Sequence, residues 1–158
     1  MNIQQLVAIS LETADTICLS YLQDLADEDL MRRPHPSCNH LNWQVGHLIQ
    51  SEHEMMSRIG PMPPLPAGFA ERYRKETQSS NRGDDFCDKR QLLEAQQAQR
   101  TGTLALVAGL DPTDLDRASG VDYAPTLGAL VALIPAHWLM HAGQWVIVRR
   151  ELGRPPLF

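Results

Sequence analysis

Apolar residues recur at spacings of three and four positions in several long blocks of the chain, and no segment alternates as a half-buried strand would. Ser37 and Thr126 are placed to cap the second and the last of these blocks. The pattern predicts an all-α fold, and the economical form is a four-helix bundle. The predicted helices cover about residues 2–25, 38–59, 89–110 and 127–152.

The connection between the second and third predicted helices is unusually long. Residues 60–88 carry four prolines near their start, followed by polar residues with little periodicity. A connection of this length inside a compact domain is usually functional or contains a short helix of its own. We expect an ordered loop across one end of a single domain spanning residues 1–158, with a disordered linker between two domains as the alternative.

Composition and charge exclude several classes of protein. The chain has 14 basic and 19 acidic residues and a net charge of −5, which argues against nucleic acid as a partner. The first twenty residues lack the positive charge of a signal peptide, and the strongly apolar segment 127–134 is shorter than the roughly 20 residues of a membrane span. Cys18, Cys38 and Cys87 form no C-x-x-C pair, so we expect free thiols, a buried Cys18 and a cytoplasmic location.

Two histidines lie within the apolar stripe of the last helix. At about 100° per residue, His141 falls roughly 40° from His137, and Gln144 falls roughly 20° to the other side. His47 has the same placement on the second helix, where Trp43 lies about 40° from it. These positions predict three imidazoles on faces that meet in one core.

An imidazole buried among apolar side chains must satisfy its ring nitrogens. One cation bound by His47, His137 and His141 would satisfy all three, since residues four apart on a helix can reach the same ion. Three protein ligands with an open fourth position are typical of a catalytic site rather than of a structural one. The alternative is that the histidines are core side chains bonded to carbonyl groups or to Gln144.

The remaining histidines give weaker signals. We expect His35 and His53 to be solvated, and His40 to lie near the face of His47 but too far away to share its ion. Glu54 lies two turns beyond His47 and is a candidate base or supporting group, although a solvated carboxylate is the ordinary alternative.

The segment "LNWQVGHLIQSE", followed by "HWLMHAGQWVIVRRELGRPP", resembles the DinB/YfiT-like superfamily over nearly the whole chain. The W-x-x-x-H-L element of that superfamily corresponds to Trp43 and His47-Leu48, and its H-x-x-x-H-x-G-Q element begins at His137. The resemblance implies a four-helix bundle, a divalent metal such as zinc or nickel held by three histidines, no other cofactor, and a homodimer. Pro135 departs from a regular helix and is predicted to bend it before His137.

The resemblance also implies a range of activities. Characterised relatives include transferases of low-molecular-weight thiols and a thiol-dependent isomerase. We therefore expect a metal-dependent thiol (S-)transferase or hydrolase acting on a small molecule, with its catalytic residues unassigned and Gln144 and Glu54 as candidates. Phe69, Tyr73 and Phe86 are expected to line a mouth covered by the long connection. The alternatives are a non-catalytic metal- or ligand-binding stress protein and a bundle without metal.

Overall fold

The structure, a computed structural model, describes residues 1–158, and its regular elements are helical apart from one isolated bridge between Ala118 and Thr126. The prediction of an all-α fold is therefore confirmed. Three short 3-10 turns cover Lys75–Thr77, Gly83–Asp85 and Pro112–Asp116. The six α-helices are α1 (Ile3–Leu22), α2 (Asp27–Leu30), α3 (Leu41–Met56), α4 (Phe69–Arg72), α5 (Lys89–Gly109) and α6 (Leu127–Glu151).

The four long helices, α1, α3, α5 and α6, contact one another in a closed ring. α1 packs against α6, α6 against α3, α3 against α5, and α5 against α1. Their inner faces form one continuous apolar core, which also includes Cys18. Burial raises the pKa of the Cys18 thiol to about 12, and all three cysteines are free, as the sequence predicts.

The helix boundaries agree with the predictions for α5 and α6 and differ at the other two helices. Thr126 caps α6 by accepting a hydrogen bond from the amide of Ala129. The first helix ends at Leu22, not at residue 25, and the short α2 follows. The prediction of Ser37 as the N-cap of the second helix is wrong, because residues 35–38 form a turn in which the Cys38 amide bonds to the His35 carbonyl.

His40 is the residue that caps α3. Its Nδ1 accepts a hydrogen bond from the backbone amide of Trp43, and its ring is fully buried against Phe86. Burial, reinforced by the charge of Arg33, lowers the pKa of His40 to about 4. His40 is expected to lie too far from His47 to share its ion, and the structure shows it as a neutral structural group at the start of α3, outside the cluster of the other three histidines.

The long connection is ordered and contains α4 with two of the 3-10 turns, in agreement with the interpretation as an ordered loop. Phe69, Tyr73 and Phe86 are buried in the core. The expectation that these three rings line the mouth of a site is therefore wrong. Their side chains hold the connection against α3.

α6 runs through Pro135 without interruption. By length and composition alone it could cross a membrane, with a mean hydropathy of 1.3 over its most apolar window. The expectation that the apolar segment is too short to span a membrane rests on residues 127–134 alone and does not describe the whole helix. The core helix of a folded domain meets the same criteria, and α6 packs against α1 and α3 with Trp138, Trp145 and Arg149 buried.

The cap at His40 makes stability depend on pH. The unfolded chain takes up a proton at this residue near pH 6.5, whereas the folded chain keeps the ring neutral down to about pH 4. This contribution to stability is complete above pH 6.5 and falls by up to about 3 kcal/mol as the pH drops to about 4. Urea denaturation across this range should show a shallower loss in His40→Asn, since asparagine keeps a capping oxygen but does not titrate. Parallel losses in the two proteins would contradict the assignment.

Candidate metal centre

The structure brings His47 of α3 together with His137 and His141 of α6. Each ring has a nitrogen within 4.8 Å of a nitrogen on each of the others. The ring centroids lie 5.2 Å apart for His47 and His137, 5.8 Å for His47 and His141, and 5.0 Å for the two rings of α6. We call these three residues the histidine triad. The cluster forms because His137 and His141 lie four residues apart on α6 and because α3 packs against α6.

The triad is partly buried, and its environment favours neutral imidazoles. Burial lowers the pKa of His137 to about 4, with a further contribution from His47. Burial also lowers the pKa of His141 to about 4, with contributions from the other two rings. The pKa of His47 is lowered by burial and partly restored by the charge of Glu54. Neutral imidazole is the form that ligates cations, so this donor set fits a divalent metal.

Trp43 and the long connection hold His47 in place. The indole of Trp43 stacks on the His47 ring at 5.1 Å with an interplanar angle of 11°, and its Nε1 donates to Thr77 in the connection. The ring of Tyr73 lies against Gly46, where an added Cβ would come within 2.2 Å of it. The connection thus braces the helix turn that presents His47.

Gln44 joins the triad to the core. Its Oε1 lies 3.0 Å from Nδ1 of His141 and accepts a hydrogen bond of 2.9 Å from Nε1 of Trp145. Its Nε2 donates to the Asn39 carbonyl at 2.7 Å and to Oε1 of Gln144 at 3.1 Å. Sequence reasoning assigned no role to Gln44, although a buried amide three residues before His47 requires partners.

Comparison with known proteins agrees with this fold. The sequence signature of the DinB superfamily matches residues 10–145. The chain belongs to the DinB superfamily. This superfamily is associated with metals, and the histidine triad is the group of residues in this chain that could hold one.

A crystal structure of a conserved protein from Enterococcus faecalis has a similar fold, with a TM-score of 0.75 and 17% sequence identity. The similarity covers 98% of this chain and 99% of that one. A search of curated proteins finds no significant match. At this level of identity, the structural similarity concerns the fold alone.

The candidate catalytic residues of this DinB protein differ in their surroundings. Gln144 is half-buried beside the triad and bonded to Gln44. Glu54 is exposed and accepts a hydrogen bond from Gln50, although its charge acts on His47. His35 is exposed, as predicted. His53 is not solvated as predicted, because it is half-buried with Nδ1 3.0 Å from Oε1 of Gln99.

A buried ionic network, missed from the sequence, lies next to the triad in this DinB protein. Glu52 accepts hydrogen bonds from Thr103 and from the indole of Trp138, the residue that follows His137. The guanidinium of Arg100 lies 3.1 Å from Glu52 and 3.2 Å from Asp15. Removing one partner of such a buried pair typically costs about 3–5 kcal/mol, so these contacts hold α1, α3, α5 and α6 in fixed positions.

A prominent cleft of the molecule lies elsewhere. It has a volume of about 640 Å³ and is lined by residues of α1, α5 and the turn after α1, with no residue of the triad. All three charged groups there are engaged: Arg100 pairs with Asp15, and the Lys89 ammonium bonds to the carbonyls of Gln23 and Leu25. The triad is therefore the better candidate for chemistry, despite the volume of this cleft.

Proposed function

We propose that this DinB protein binds a divalent metal ion through His47, His137 and His141 and is a metal-dependent enzyme acting on a small molecule. The observation that carries the proposal is the convergence of three imidazole rings whose nitrogens lie within 4.8 Å of one another. Zinc or nickel fits the donor set, because imidazole nitrogens suit both ions. The closed ring of long helices also supports the four-helix bundle of the superfamily, with residues 57–88 as its long connection.

Thiol transfer is the reaction class that we favour, with hydrolysis as the close alternative. A divalent ion with an open position would act as a Lewis acid and lower the pKa of a thiol or of water. The chain itself would hold the ligands through Gln44, Trp43 and the ionic network. Gln144 would contact the substrate, and Glu54, an exposed carboxylate whose charge acts on His47, would be the candidate to accept a proton. Three free cysteines are consistent with a cytoplasmic location, where low-molecular-weight thiols are reduced.

A non-catalytic metal- or ligand-binding protein is the second candidate. One observation favours it: neither Glu54 nor Glu52 is placed as a general base would be. Glu54 is exposed and bonded to Gln50, and Glu52 is buried among Arg100, Thr103 and Trp138. This alternative expects tight metal binding without turnover.

Metal content tests the ligand assignment. The wild-type chain should bind about one equivalent of zinc or nickel by elemental analysis. His47→Ala and His141→Ala should weaken binding by more than about 100-fold, beyond the range typical of outer-shell partners. The matched control is His35→Ala, which removes an exposed histidine and should bind as wild type. Equal metal content in all of these proteins would show that the histidines are core groups only.

A conjugation assay tests the thiol-transfer hypothesis. Metal-loaded protein, a low-molecular-weight thiol and a chlorobimane should form the thioether faster than the thiol alone. The sulfur bonds to carbon as chloride leaves, and the thiol proton passes to solvent. His141→Ala should abolish the acceleration. Stoichiometric metal with no acceleration for any thiol tried, but hydrolysis of an activated ester, would favour the hydrolase. Stoichiometric metal without either reaction would favour the binding protein.

We also propose a homodimer formed by the outer faces of α1 and α6. α6 carries no Asp, Glu, Lys or Arg between Leu127 and Val148, even on the side turned away from the core. Large exposed apolar surfaces mark interaction sites, and a second copy supplies a self-complementary partner. The exposed apolar residues of the two helices are Ile3, Leu6, Ile9, Leu139, Met140 and Ile147.

Light scattering tests this interface. Wild type should have twice the 17.7 kDa mass of the chain, whereas Met140→Glu should place a charge in the interface and yield monomers. Tyr123→Glu provides the control, because it charges an equally prominent apolar residue outside α1 and α6. A monomeric wild type would refute the dimer, and a dimeric Met140→Glu would refute this face.

A further inference from the structure

The amide of Gln44 has every hydrogen-bonding position filled. Its oxygen has two partners, Trp145 and His141, and its nitrogen has two acceptors, Asn39 and Gln144. The residue is buried, so water does not compete for these contacts. A fully satisfied buried amide has one orientation, because turning it over would break several bonds at once.

Two partners fix that orientation independently. The indole nitrogen of Trp145 can only donate, so the Gln44 atom 2.9 Å from it must be the oxygen. The backbone carbonyl of Asn39 can only accept, so the Gln44 atom 2.7 Å from it must be the nitrogen. Both assignments agree, and neither depends on the protonation of a histidine.

The orientation of Gln44 decides the tautomer of His141. Since the Gln44 oxygen is an acceptor, the His141 Nδ1 that lies 3.0 Å from it must carry the proton. Nε2 of the neutral ring then holds the lone pair. This hydrogen bond also fixes the orientation of the His141 ring, as is common for histidines that ligate metals.

We propose that Gln44 is a positioning residue, which holds His141 as the Nδ1–H tautomer with Nε2 free to ligate an ion. The role of Gln44 in metal binding rests on the proposed function. The tautomer of His141 follows from the hydrogen bonds alone. The same amide orients Gln144, whose oxygen is occupied by the Gln44 nitrogen and whose own NH2 group is left to donate. Gln144 follows His141 by three residues, so this donor lies on the side of α6 that carries the triad. The site thus offers a hydrogen-bond donor to a ligand with an acceptor atom, such as a thiolate or a carboxylate.

The first test reads the tautomer directly in the metal-free protein. Long-range ¹H–¹⁵N correlation at about pH 7.5, where the ring is neutral, should show His141 protonated at Nδ1 in wild type. In Gln44→Leu, which removes the acceptor, the preference for Nδ1–H should be lost. In Gln44→Glu it should persist, because burial favours the protonated acid, whose hydroxyl donates to the Asn39 carbonyl while its carbonyl oxygen still accepts from both Trp145 and His141. An Nε2–H tautomer in wild type, or an unchanged tautomer in Gln44→Leu, would overturn the inference.

The second test measures affinity for Zn²⁺ against a competing chelator. Gln44→Leu should bind Zn²⁺ 10–100-fold more weakly than wild type, the range expected for loss of an outer-shell partner. Gln50→Leu is the matched control, since it removes a glutamine of the same helix bonded only to Glu54, and it should bind within about twofold of wild type. Wild-type affinity in Gln44→Leu would count against the positioning role.

Failure of the metal function and failure of this inference give different results. If wild type binds no metal, the proposed function fails, and the tautomer measurement still decides whether Gln44 controls His141. If Gln44→Leu does not fold, as judged by circular dichroism, the wild-type tautomer and Gln44→Glu carry the test.

Discussion

The position of α6 along α3 is the constraint on which the rest of the structure depends. Two tryptophans of α6, seven residues apart, each donate an indole hydrogen bond to a polar side chain of α3. Trp138 bonds to Glu52 and Trp145 to Gln44, so the two helices run antiparallel. His47 lies between the two acceptors on α3, and His141 lies between the two donors on α6. The two contacts therefore lie on either side of His47 and His141, and His137 directly precedes the Trp138 contact.

The sequence predicts the triad better than it predicts what holds the triad. His137 and His141 are recognisable because helical spacing alone places both in an apolar stripe, and His47 shares that placement on another helix. Periodicity does not show which side chains meet across two helices, so the roles of Gln44 and Glu52 remained hidden. A signal was present, however: a buried tryptophan needs an acceptor for its N–H, and α6 contains two.

The differences at the ends of α3 have a similar origin. Ser37 has the preferred side chain for a cap, but the turn at residues 35–38 uses the backbone there, and His40 provides the acceptor from a buried position. The aromatic residues of the connection looked suited to a site mouth, but Tyr73 packs into the slot left by the missing side chain of Gly46. Only packing in three dimensions shows that Tyr73 fills this slot.

Polar contacts in the core specify the register of the two helices in a way that apolar packing would not. A slip of α6 by one turn moves it about 5.4 Å, which still allows leucine and valine to pack. The same slip would separate both indoles from their acceptors and leave buried groups unsatisfied, at about 1–3 kcal/mol each. It would also separate His47 from His137 and His141. The contacts that select the native register are therefore the ones that assemble the histidine triad.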